Sequence, residues 1–397
     1  MTLDPIEIQE TLDIISQNKD NLKEIINTLP KNHRLIPLEQ EDFKVFNPNT
    51  VTCPTFNNRI DLYLLKQFYK KTDILIKRDP ETNKIISNPW EITFLRMFDP
   101  AIDSNHFLQE NQLIDRKFNK KINVRYIPIY ELNDIKFLPI YEGRMIWQYN
   151  HRLNSMEFAT KGKQRKAISL ETKIEQFQDS SFSVKTNYWL NKELMESRIP
   201  EDYNKKWFLG FRAVSGATNE RSFISTILPY TPMMYSITLI ITKSKPKLVA
   251  CLLANLNSIV FDFIVRQKLS NPRINHFEVE QFPIFPPEKY NSKLMEIIDE
   301  KVLELIYTSF NMKNFASDLD YNGEPFKFSQ ERRDVLIAEL DAIYAILYNI
   351  DKDNLEYIID SFSVLKNREL ERFEEFLTKR LILEAYDKFL EQKELFE

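Results

Sequence analysis

The stretch WFLGFRAVSGATNERSFISTILPYTPMMYSITLIIT, residues 207–242, contains three short apolar runs separated by polar or proline-containing segments. The runs WFLGFRAVS, SFISTILP and MMYSITLIIT are rich in β-branched and aromatic residues, and each has the length of a β-strand. The stretch that follows, LVACLLANLNSIVFDFIVRQKL at 248–269, is apolar on most sides and predicts one long buried helix. Strands followed directly by a buried helix predict a core in which a sheet packs against helices.

Working outward from this stretch, further strand-like runs occur upstream and helical periodicity occurs at both ends. The runs VRYIPIY, IKFLPIY and RMIWQYN predict more strands, and the polar, lysine-containing residues 161–185 predict a mobile loop. Apolar residues at helical spacing predict helices over 5–28, 59–71, 293–310, 330–349, 353–363 and 368–395. We therefore expect an α+β protein with a helical N-terminal connector (1–120), a mixed-sheet recognition domain (121–290) and a helical C-terminal tail (291–397).

Charge is distributed unevenly along the chain. The formal net charge is −4, but residues 121–290 hold 24 Lys and Arg against 16 Asp and Glu, whereas the remainder holds 30 against 42. A basic centre with acidic flanks is typical of a protein in which one domain contacts phosphate and the others contact protein or water. Lysine-rich loops that happen to lie in the centre would produce the same totals, so charge alone leaves both interpretations open.

Several classes of function lack their sequence signatures. We find no G-x-G turn for a nucleotide cofactor, no Walker loop, no His or Cys ligand spacing for a metal, and no complete Asn-Pro-Pro-aromatic run of an adenine methyltransferase. We therefore expect no cofactor and no metal in this chain. The two cysteines lie far apart, and neither a membrane span nor a signal peptide is indicated, so we expect a cytoplasmic protein.

The segment LPIYEGRMIWQYNHR, residues 138–152, concentrates aromatic and hydrogen-bonding side chains. If it is a strand, Arg144 and Gln148 share one face, and these two types suit the edges of guanine and adenine. The other face carries Tyr149 and His151, with Trp147 better suited to the core. The alternative is that the whole segment forms the floor of a pocket in a folded core.

Two further segments are dense in donors and acceptors, and a polar loop adds cations. FRAVSGATNERSF (211–223) places several of them around Gly216, and a hydrogen-bonded turn explains it about as well as a ligand contact. VRQKLSNPRINHFEVEQFPIFPP (265–287) could contact phosphate, or it could be a simple helix-capping loop whose first cations, Arg266 and Lys268, favour the helix dipole. The candidate DNA contacts are Arg144, Gln148, Tyr149, His151, Arg152, Lys161, Lys163, Arg165, Lys166, Arg212, Thr218, Asn219, Arg221, Arg266, Lys268, Arg273 and Asn275.

The blocks YEGRMIWQYNHR, FRAVSGATNERSFISTILP and LLANLNSIVFDFIVRQKLSNPRINHFEVEQFPIFPP together resemble, in the same order, a known family. They are similar to the C-terminal half of large adenine-specific DNA methyltransferases of restriction–modification and phage-defence systems, including the DISARM type. That half contains a TaqI-like target-recognition domain. FNPNTVTCPTFNNRIDLYLLKQFY, NPWEITFLRMFDPAIDSNHF, ERRDVLIAELDAIYAILYNI and TKRLILEAYD fit the same family, so the resemblance extends from about residue 40 to the end.

In that family the cofactor turn and the Asn-Pro-Pro-aromatic run lie upstream of these blocks, and this sequence starts after them. The resemblance therefore implies binding of double-stranded DNA without catalytic residues, with S-adenosylmethionine on a partner methyltransferase subunit or a missing N-terminal half. Two alternatives remain: a protein-interaction scaffold or remnant of a split gene, and an adenine-specific methyltransferase whose cofactor site escapes motif analysis.

Overall fold

The computed structural model describes residues 36, 38–54, 56, 58–161, 164–216, 219–269 and 272–396, with backbone alone at 158–161, 164–167 and 393. Fifteen α-helices and twelve strands lie within this part of the chain, which confirms the α+β class. The helix predicted over 5–28 lies outside the described residues. The helix predicted over 59–71 is confirmed, and Asn58 caps it by accepting a hydrogen bond from the Asp61 N–H.

The central sheet has the strand order β11-β10-β12-β3 and is built from the three runs of 207–242 plus an upstream strand. Along β10, Trp207, Leu209 and Phe211 pack into one hydrophobic cluster, while Phe208 packs into another on the opposite face. A Cβ at Gly210 would lie 2.7 Å from Leu228 Cδ1, so a larger residue here would require the Leu228 side chain to shift. The sheet is therefore buried on both faces. Its strands are β3 (Ile92–Leu95), β10 (Trp207–Arg212), β11 (Ser225–Pro229) and β12 (Ile237–Thr242).

A second four-stranded sheet has the order β4-β5-β6-β9, and two pairs of strands stand apart from both sheets. The second sheet comprises β4 (Asn119–Ile122), β5 (Pro128–Leu132), β6 (Ile135–Pro139) and β9 (Trp189–Asn191). One separate pair is β1 (Lys77–Arg78) with β2 (Ile85–Ser87); the other is β7 (Asn154–Lys161) with β8 (Gln164–Glu171). We call the β7–β8 pair the ribbon.

Two predictions about this central region are wrong. Every described pairing between the named strands is antiparallel, so the sheets are not mixed. Antiparallel neighbours can be joined by a short hairpin, as β5–β6 and β7–β8 are, whereas a parallel pair needs a crossover of about a dozen residues or more. The predicted mobile loop at 161–185 is also incorrect, because 164–171 forms the second strand of the ribbon and a short helix and strand follow.

Helices surround the central sheet and form the C-terminal part of the molecule. The predicted single helix over 248–269 is two helices that meet at an angle of 57°. Ser258 between them is extended (φ −63°, ψ 148°), and its hydroxyl accepts from the Phe261 N–H and so caps the second helix. Likewise, the helix predicted over 368–395 is broken at Glu374, which adopts a left-handed conformation (φ 62°).

The bounds of the helices follow chain order. The α-helices are α1 (Gln40–Phe46), α2 (Arg59–Lys71), α3 (Pro100–Asp103), α4 (Glu110–Asp115), α5 (Ile174–Gln178), α6 (Lys192–Glu196), α7 (Pro246–Asn257), α8 (Ile259–Lys268), α9 (His276–Val279), α10 (Ser292–Ile306), α11 (Lys313–Asp318), α12 (Gln330–Leu347), α13 (Lys352–Asp360), α14 (Ser363–Phe373) and α15 (Leu377–Leu390). Short 3-10 turns cover Ser104–His106, Gly143–Met145, Pro287–Lys289, Phe310–Met312 and Lys393–Leu395.

One large hydrophobic cluster joins residues from all three predicted regions. Phe68 on α2, Phe263 on α8 and Tyr348 after α12 belong to it, and the Phe68 ring packs edge-on against both of the others. The boundaries at 120 and 290 thus cross a continuous core, and the division into three domains stays a prediction. No single described helix is long and apolar enough to cross a membrane, although the bent pair α7–α8 would pass by length and composition alone.

Candidate nucleic-acid interface

Three chain segments converge on the residues that precede β12. The Met234 N–H donates to Tyr141 O (2.8 Å), the Tyr235 N–H donates to Phe98 O (2.7 Å), and Ser236 O accepts from the Ala213 N–H (2.9 Å). These backbone bonds hold the ends of β3 and β10 and the 3-10 turn after β6 against one another. Side chains that are distant in sequence therefore meet around Tyr235.

Gly143 allows the closest of these approaches. Its N–H donates to Ser236 Oγ (2.8 Å), and a Cβ at this position would lie 2.6 Å from Ser236 O. Any other residue would force the turn away from β12. The next residue, Arg144, is bound by Glu142, whose Oε2 lies 2.9 Å from Nε and 2.5 Å from Nη2. The glycine thus fixes where the Arg144 guanidinium lies.

Arg212 and Arg273 come together through a short backbone pairing beyond the end of β10. The Ile274 N–H donates to Ala213 O (3.0 Å), and the Ser215 N–H donates to Pro272 O (2.8 Å). In the described part of the chain, the Arg212 guanidinium has neither a hydrogen bond nor an ion pair. Partial burial lowers the pKa of Arg212, yet a guanidinium remains protonated at neutral pH. Its donors are thus available to a ligand.

Together these side chains form a surface that we call the arginine groove, defined by Arg96, Arg144, Tyr188, Arg212, Tyr235 and Arg273. Most of it lines a concavity of about 440 Å³. The guanidinium carbons of Arg96 and Arg273 each lie 5.9 Å from the centre of the Tyr235 ring. Two of these guanidinium groups have carboxylate partners: Arg144 pairs with Glu142, and Arg96 lies 3.8 Å from Asp99. Guanidinium groups that can donate two hydrogen bonds, together with aromatic rings, are suited to binding phosphates and base edges.

The ribbon rises next to the arginine groove. Asn154 Nδ2, at the start of β7, donates to Arg144 O (2.8 Å), and the Met156 N–H donates to Lys185 O (2.9 Å), shortly before the groove residue Tyr188. Eight register pairs join the two strands, from Asn154↔Glu171 to Lys161↔Gln164. At about 3.3 Å per residue such a ribbon is roughly 26 Å long. The major groove of B-DNA admits a two-stranded ribbon of this kind.

Of the four cations predicted for the DNA backbone, Lys161, Arg165 and Lys166 have their backbone at one end of the ribbon. Lys163 and the side chains of Lys161, Arg165 and Lys166 lie outside the described residues. The register pairs Lys161 with Gln164 and Thr160 with Arg165 at the end of the ribbon that is distant from the groove. Their assignment to DNA therefore stays a prediction.

The predicted strand RMIWQYN over 144–150 is wrong, and this removes several predicted base contacts. Residues 143–145 form a 3-10 turn, and a bridge between Trp147 and Asn150 closes a tight turn in which Tyr149 has a positive φ of 55°. Gln148 is only 4% exposed, and its Nε2 donates to Phe223 O (3.0 Å) and Asn257 O (3.1 Å). Tyr149 is 2% exposed. Neither side chain is accessible to a base edge.

His151 and Arg152 are buried as well. Arg152 is 1% exposed and donates to four backbone carbonyl oxygens, those of Phe177, Asp179, Phe182 and Thr308. Burial and the charge of Arg152 lower the pKa of His151 to about 3, so the imidazole is neutral at pH 7. Both side chains therefore lie within the folded core and are not accessible to DNA.

Three cations of the other predicted segments also form hydrogen bonds or ion pairs within the protein. Arg221 forms a buried ion pair with Asp262 (Nε–Oδ2 3.0 Å). Arg266 donates to the carbonyl oxygens of Asn219 and Glu220, with its guanidinium 4.0 Å from the centre of the Phe362 ring. Lys268 Nζ donates to Phe46 O (2.6 Å) and the Tyr69 hydroxyl (2.8 Å), which fastens α1 and α2 to the core. We withdraw these three as DNA contacts.

The remaining predicted residues lie near the edge of the site. Asn219 is exposed, and its Nδ2 donates to Ser215 Oγ (3.4 Å). Asn275 caps α9, with its N–H donating to Glu278 Oε2 (2.8 Å), which is the capping role anticipated as the alternative. Thr218 lies outside the described residues. Of the seventeen candidates, the structure therefore brings Arg144, Arg212 and Arg273 together in one groove.

Three members of the groove were not predicted from sequence. Arg96 follows β3, Tyr235 precedes β12 and Tyr188 precedes β9. None of them stands in a cluster of polar residues, which was the signal used to select candidates. The pairing of β3 with β12 brings Arg96 and Tyr235 together, and nothing local in the sequence specifies that pairing.

No model of a known protein family matches this chain, and no curated protein matches it.

Proposed function

We propose that this chain recognises double-stranded DNA and holds its target sequence for an adenine-specific methyltransferase on another chain. The proposal rests on three supports: the arginine groove, the basic excess of residues 121–290, and the sequence resemblance to target-recognition regions. S-adenosylmethionine would be bound by the partner methyltransferase, and the complex would act in the cytoplasm in restriction–modification or phage defence.

The observation that carries the proposal is the adjacency of the ribbon and the groove. A ribbon lying in the major groove would place the arginine groove at its base against the flanking bases or phosphates. The unpaired guanidinium of Arg212 supplies donors in the fork that guanine O6 and N7 accept. Tyr188 and Tyr235 add apolar surface and hydroxyls at the same place. A sequence-reading role needs this combination of phosphate contacts for affinity and base contacts for specificity.

The test is selection of bound duplexes from a random library, followed by fluorescence anisotropy on the selected sequence. We expect the double variant Arg144→Ala/Arg212→Ala to bind the selected duplex at least about 30-fold more weakly, because a bidentate arginine contact contributes about 1–3 kcal/mol. The control is Lys44→Ala/Lys70→Ala, which removes the same charge from exposed positions on α1 and α2 and is expected to stay within about twofold. Enrichment of no sequence, or equal binding by both double variants, would refute the proposal.

A further inference from the structure

A second and larger concavity is lined in part by residues 147–154, which follow Arg144 in the chain. This cleft, of about 1190 Å³, is bounded by residues 147–154 and α5 on one side and by α12 and α14 on the other. Asn154 lines the cleft and also bonds Arg144 O, so the base of the ribbon separates the cleft from the arginine groove.

The two concavities differ in charge. The cleft is lined by six carboxylates and five cations, which contrasts with the cationic excess of the groove. Of the five cations, Arg221 is paired with Asp262, Arg368 with Glu220, and Arg333 donates to the carbonyl oxygens of Leu305 and Tyr149. A lining of this kind opposes the phosphate backbone of DNA, whereas it suits a polypeptide that carries a positive charge.

The floor of the cleft contains an incompletely bonded carboxylate. Asp341 is 1% exposed; its Oδ1 accepts from the Ile259 N–H (2.6 Å), while Oδ2 has no hydrogen bond in the described part of the chain. The nearest cation is Arg221, whose Nη1 is 4.0 Å from Oδ2. Asp262, beneath Arg221, adds a second negative charge. A buried carboxylate oxygen without a donor carries a desolvation cost that a ligand could offset.

The titration of the cleft agrees with this geometry. Burial, with Asp262 adding to it, raises the pKa of Asp341 to about 6 despite the opposing effect of Arg221. Burial also raises the pKa values of Glu220 and Asp334. Burial therefore disfavours the charged form of all three acids of the cleft.

We propose that this cleft docks a segment of the partner methyltransferase that inserts an arginine or lysine side chain to donate to Asp341 Oδ2. The inference rests on the proposed function, since that function supplies the partner. The docking site extends the proposed function by placing DNA on the groove side of the ribbon base and the methyltransferase on the cleft side. Arginine is enriched among the residues that anchor protein interfaces, and an ionised partner makes the hydrogen bond shorter and stronger.

The probe is a fluorescein-labelled peptide Gly-Arg-Gly-Arg-Gly, compared with the same peptide in which citrulline replaces arginine. Citrulline keeps the shape and removes the charge. We expect the full chain to bind the arginine peptide about tenfold more tightly than the citrulline peptide at low salt. Asp341→Asn is expected to abolish that difference, while Arg212→Ala in the groove leaves it unchanged. Asparagine can still accept from the Ile259 N–H.

A second measurement needs no variant and covers the case in which Asp341→Asn does not fold. Carboxyl NMR titration of the unsubstituted chain is expected to show the arginine peptide lowering the pKa of Asp341, with the citrulline peptide leaving it unchanged. Equal affinity for the two peptides, or an Asp341 titration that neither peptide shifts, would overturn the docking site.

The failure of this inference and the failure of the proposed function give different results. If the docking site is correct, Asp341→Asn binds the selected DNA duplex as tightly as the unsubstituted chain. Loss of DNA affinity in that variant would assign the cleft to DNA and overturn the inference. Discrimination between the peptides by a chain that binds no DNA would instead overturn the proposed function and leave a protein-docking cleft.

Discussion

At the scale of single residues, the interior of this protein is organised by buried polar side chains that replace backbone partners. Asp262 accepts from the N–H groups of Ser222 and Phe223, and Asn257 exchanges hydrogen bonds with both the N–H and the carbonyl of Ser225. These bonds fasten the loop before β11 to the junction of α7 and α8. A buried polar group that is fully bonded in this way specifies one arrangement of the core.

Asp299 on α10 is the opposite case. It is 7% exposed, and neither carboxylate oxygen has a hydrogen bond among the described residues. Burial, assisted by Glu296 and opposed by Lys247, raises the pKa of Asp299 to about 8. Because the folded pKa exceeds the unfolded value of about 3.9, the folded state binds a proton that the unfolded state has released. Asp299 therefore reduces stability progressively as the pH rises from about 4 to 8.

We expect Asp299→Asn to increase the free energy of unfolding by about 2–4 kcal/mol at pH 8 and by much less at pH 5. Denaturant melts at the two pH values would measure this difference. Asp320→Asn is the control, because Asp320 is exposed and its ion pair with Lys247 lies in solvent. An increase that is the same at both pH values would show that the titration of Asp299 is not the cause.

His151 changes stability with pH in the direction opposite to Asp299. Its pKa is about 3 in the folded protein, below the ordinary value of about 6.5, because burial and Arg152 disfavour the charged ring. The unfolded state then binds more protons than the folded state between pH 6.5 and 3, so the stability contributed by neutral His151 is present above pH 6.5 and is lost on acidification.

We expect the stability advantage of the unsubstituted chain over His151→Gln to shrink by about 2 kcal/mol between pH 7.5 and pH 5, since each pH unit below 6.5 costs about 1.4 kcal/mol. The measurement is the difference in unfolding free energy between the two proteins at each pH, which cancels the other titrating groups. The control variant Asn105→Ala, at an exposed position and without a titratable group, should show a constant difference from the unsubstituted chain. A constant difference for His151→Gln as well would contradict the assignment.

Residue type alone could not distinguish cations that are bonded internally from cations with unbonded donors. Arg152 and Arg212 carry the same donors, but Arg152 saturates them on four carbonyls, whereas Arg212 keeps them free at the end of an outer loop pairing. Lys268 similarly binds a carbonyl and a hydroxyl contributed by α1 and α2, some 200 residues earlier in the chain. Whether a given cation is bonded internally depends on tertiary contacts, and no local sequence pattern specifies those contacts.

At the scale of secondary-structure elements, periodicity predicted helices and strands well where a whole element is regular. Helix α2 has its predicted bounds, and the three runs of 207–242 form β10, β11 and β12. Prediction failed where one residue interrupts a continuous apolar pattern. Ser258 and Glu374 each end a helix by their backbone conformation, and the flanking residues continue the apolar spacing across the break.

The second strand of the ribbon, β8, was predicted as part of a loop because residues 161–185 are polar and contain several lysines. Strand periodicity signals burial of one face, and a ribbon that pairs only with itself buries little. The two strands of the ribbon are held extended mainly by hydrogen bonds to each other and not by burial of a hydrophobic face. The sequence of such an element lacks the clear alternation of apolar and polar residues by which strands are predicted.

The ribbon carries a prediction of its own. We expect replacement of Lys161, Lys163, Arg165 and Lys166 by alanine to reduce the salt dependence of DNA binding, lowering the magnitude of the log–log slope by about 2–4, since each phosphate contact contributes about 0.9. Anisotropy titrations at several salt concentrations would measure the slope. The charge-matched control replaces exposed lysines elsewhere and should leave the slope within about 0.5 of the original; its positions are Lys44, Lys70, Lys71 and Lys84. Equal slopes for the two quadruple variants would remove the ribbon from the interface.

At the scale of the whole molecule, the central sheet lies between two hydrophobic clusters and joins the parts of the chain. One cluster extends through α2, α7, α8 and the C-terminal helices, and the other supports the turn that carries Arg144. The arginine groove thus stands on the same sheet whose other face packs against the helical body. This arrangement supports a site whose side chains come from six separate segments of the chain.

The distribution of charge over the molecule follows the same division. Residues 121–290 carry the basic excess that the sequence predicted, and the groove uses part of it. Much of the remainder is neutralised internally, as in the pairs Arg198–Asp103 and Arg221–Asp262. Sequence counts therefore overstate the cationic surface, because they cannot tell which cations are paired.

The most direct test of the central claim is the salt dependence of binding to the selected duplex between about 50 and 200 mM. If the arginine groove and the ribbon neutralise phosphates, the logarithm of the binding constant falls linearly with the logarithm of the salt concentration, with a slope of about −4 or steeper. In that case the Arg144→Ala/Arg212→Ala variant gives a shallower line. A binding constant that does not change over this range would contradict the account, because it would mean that no phosphates are neutralised.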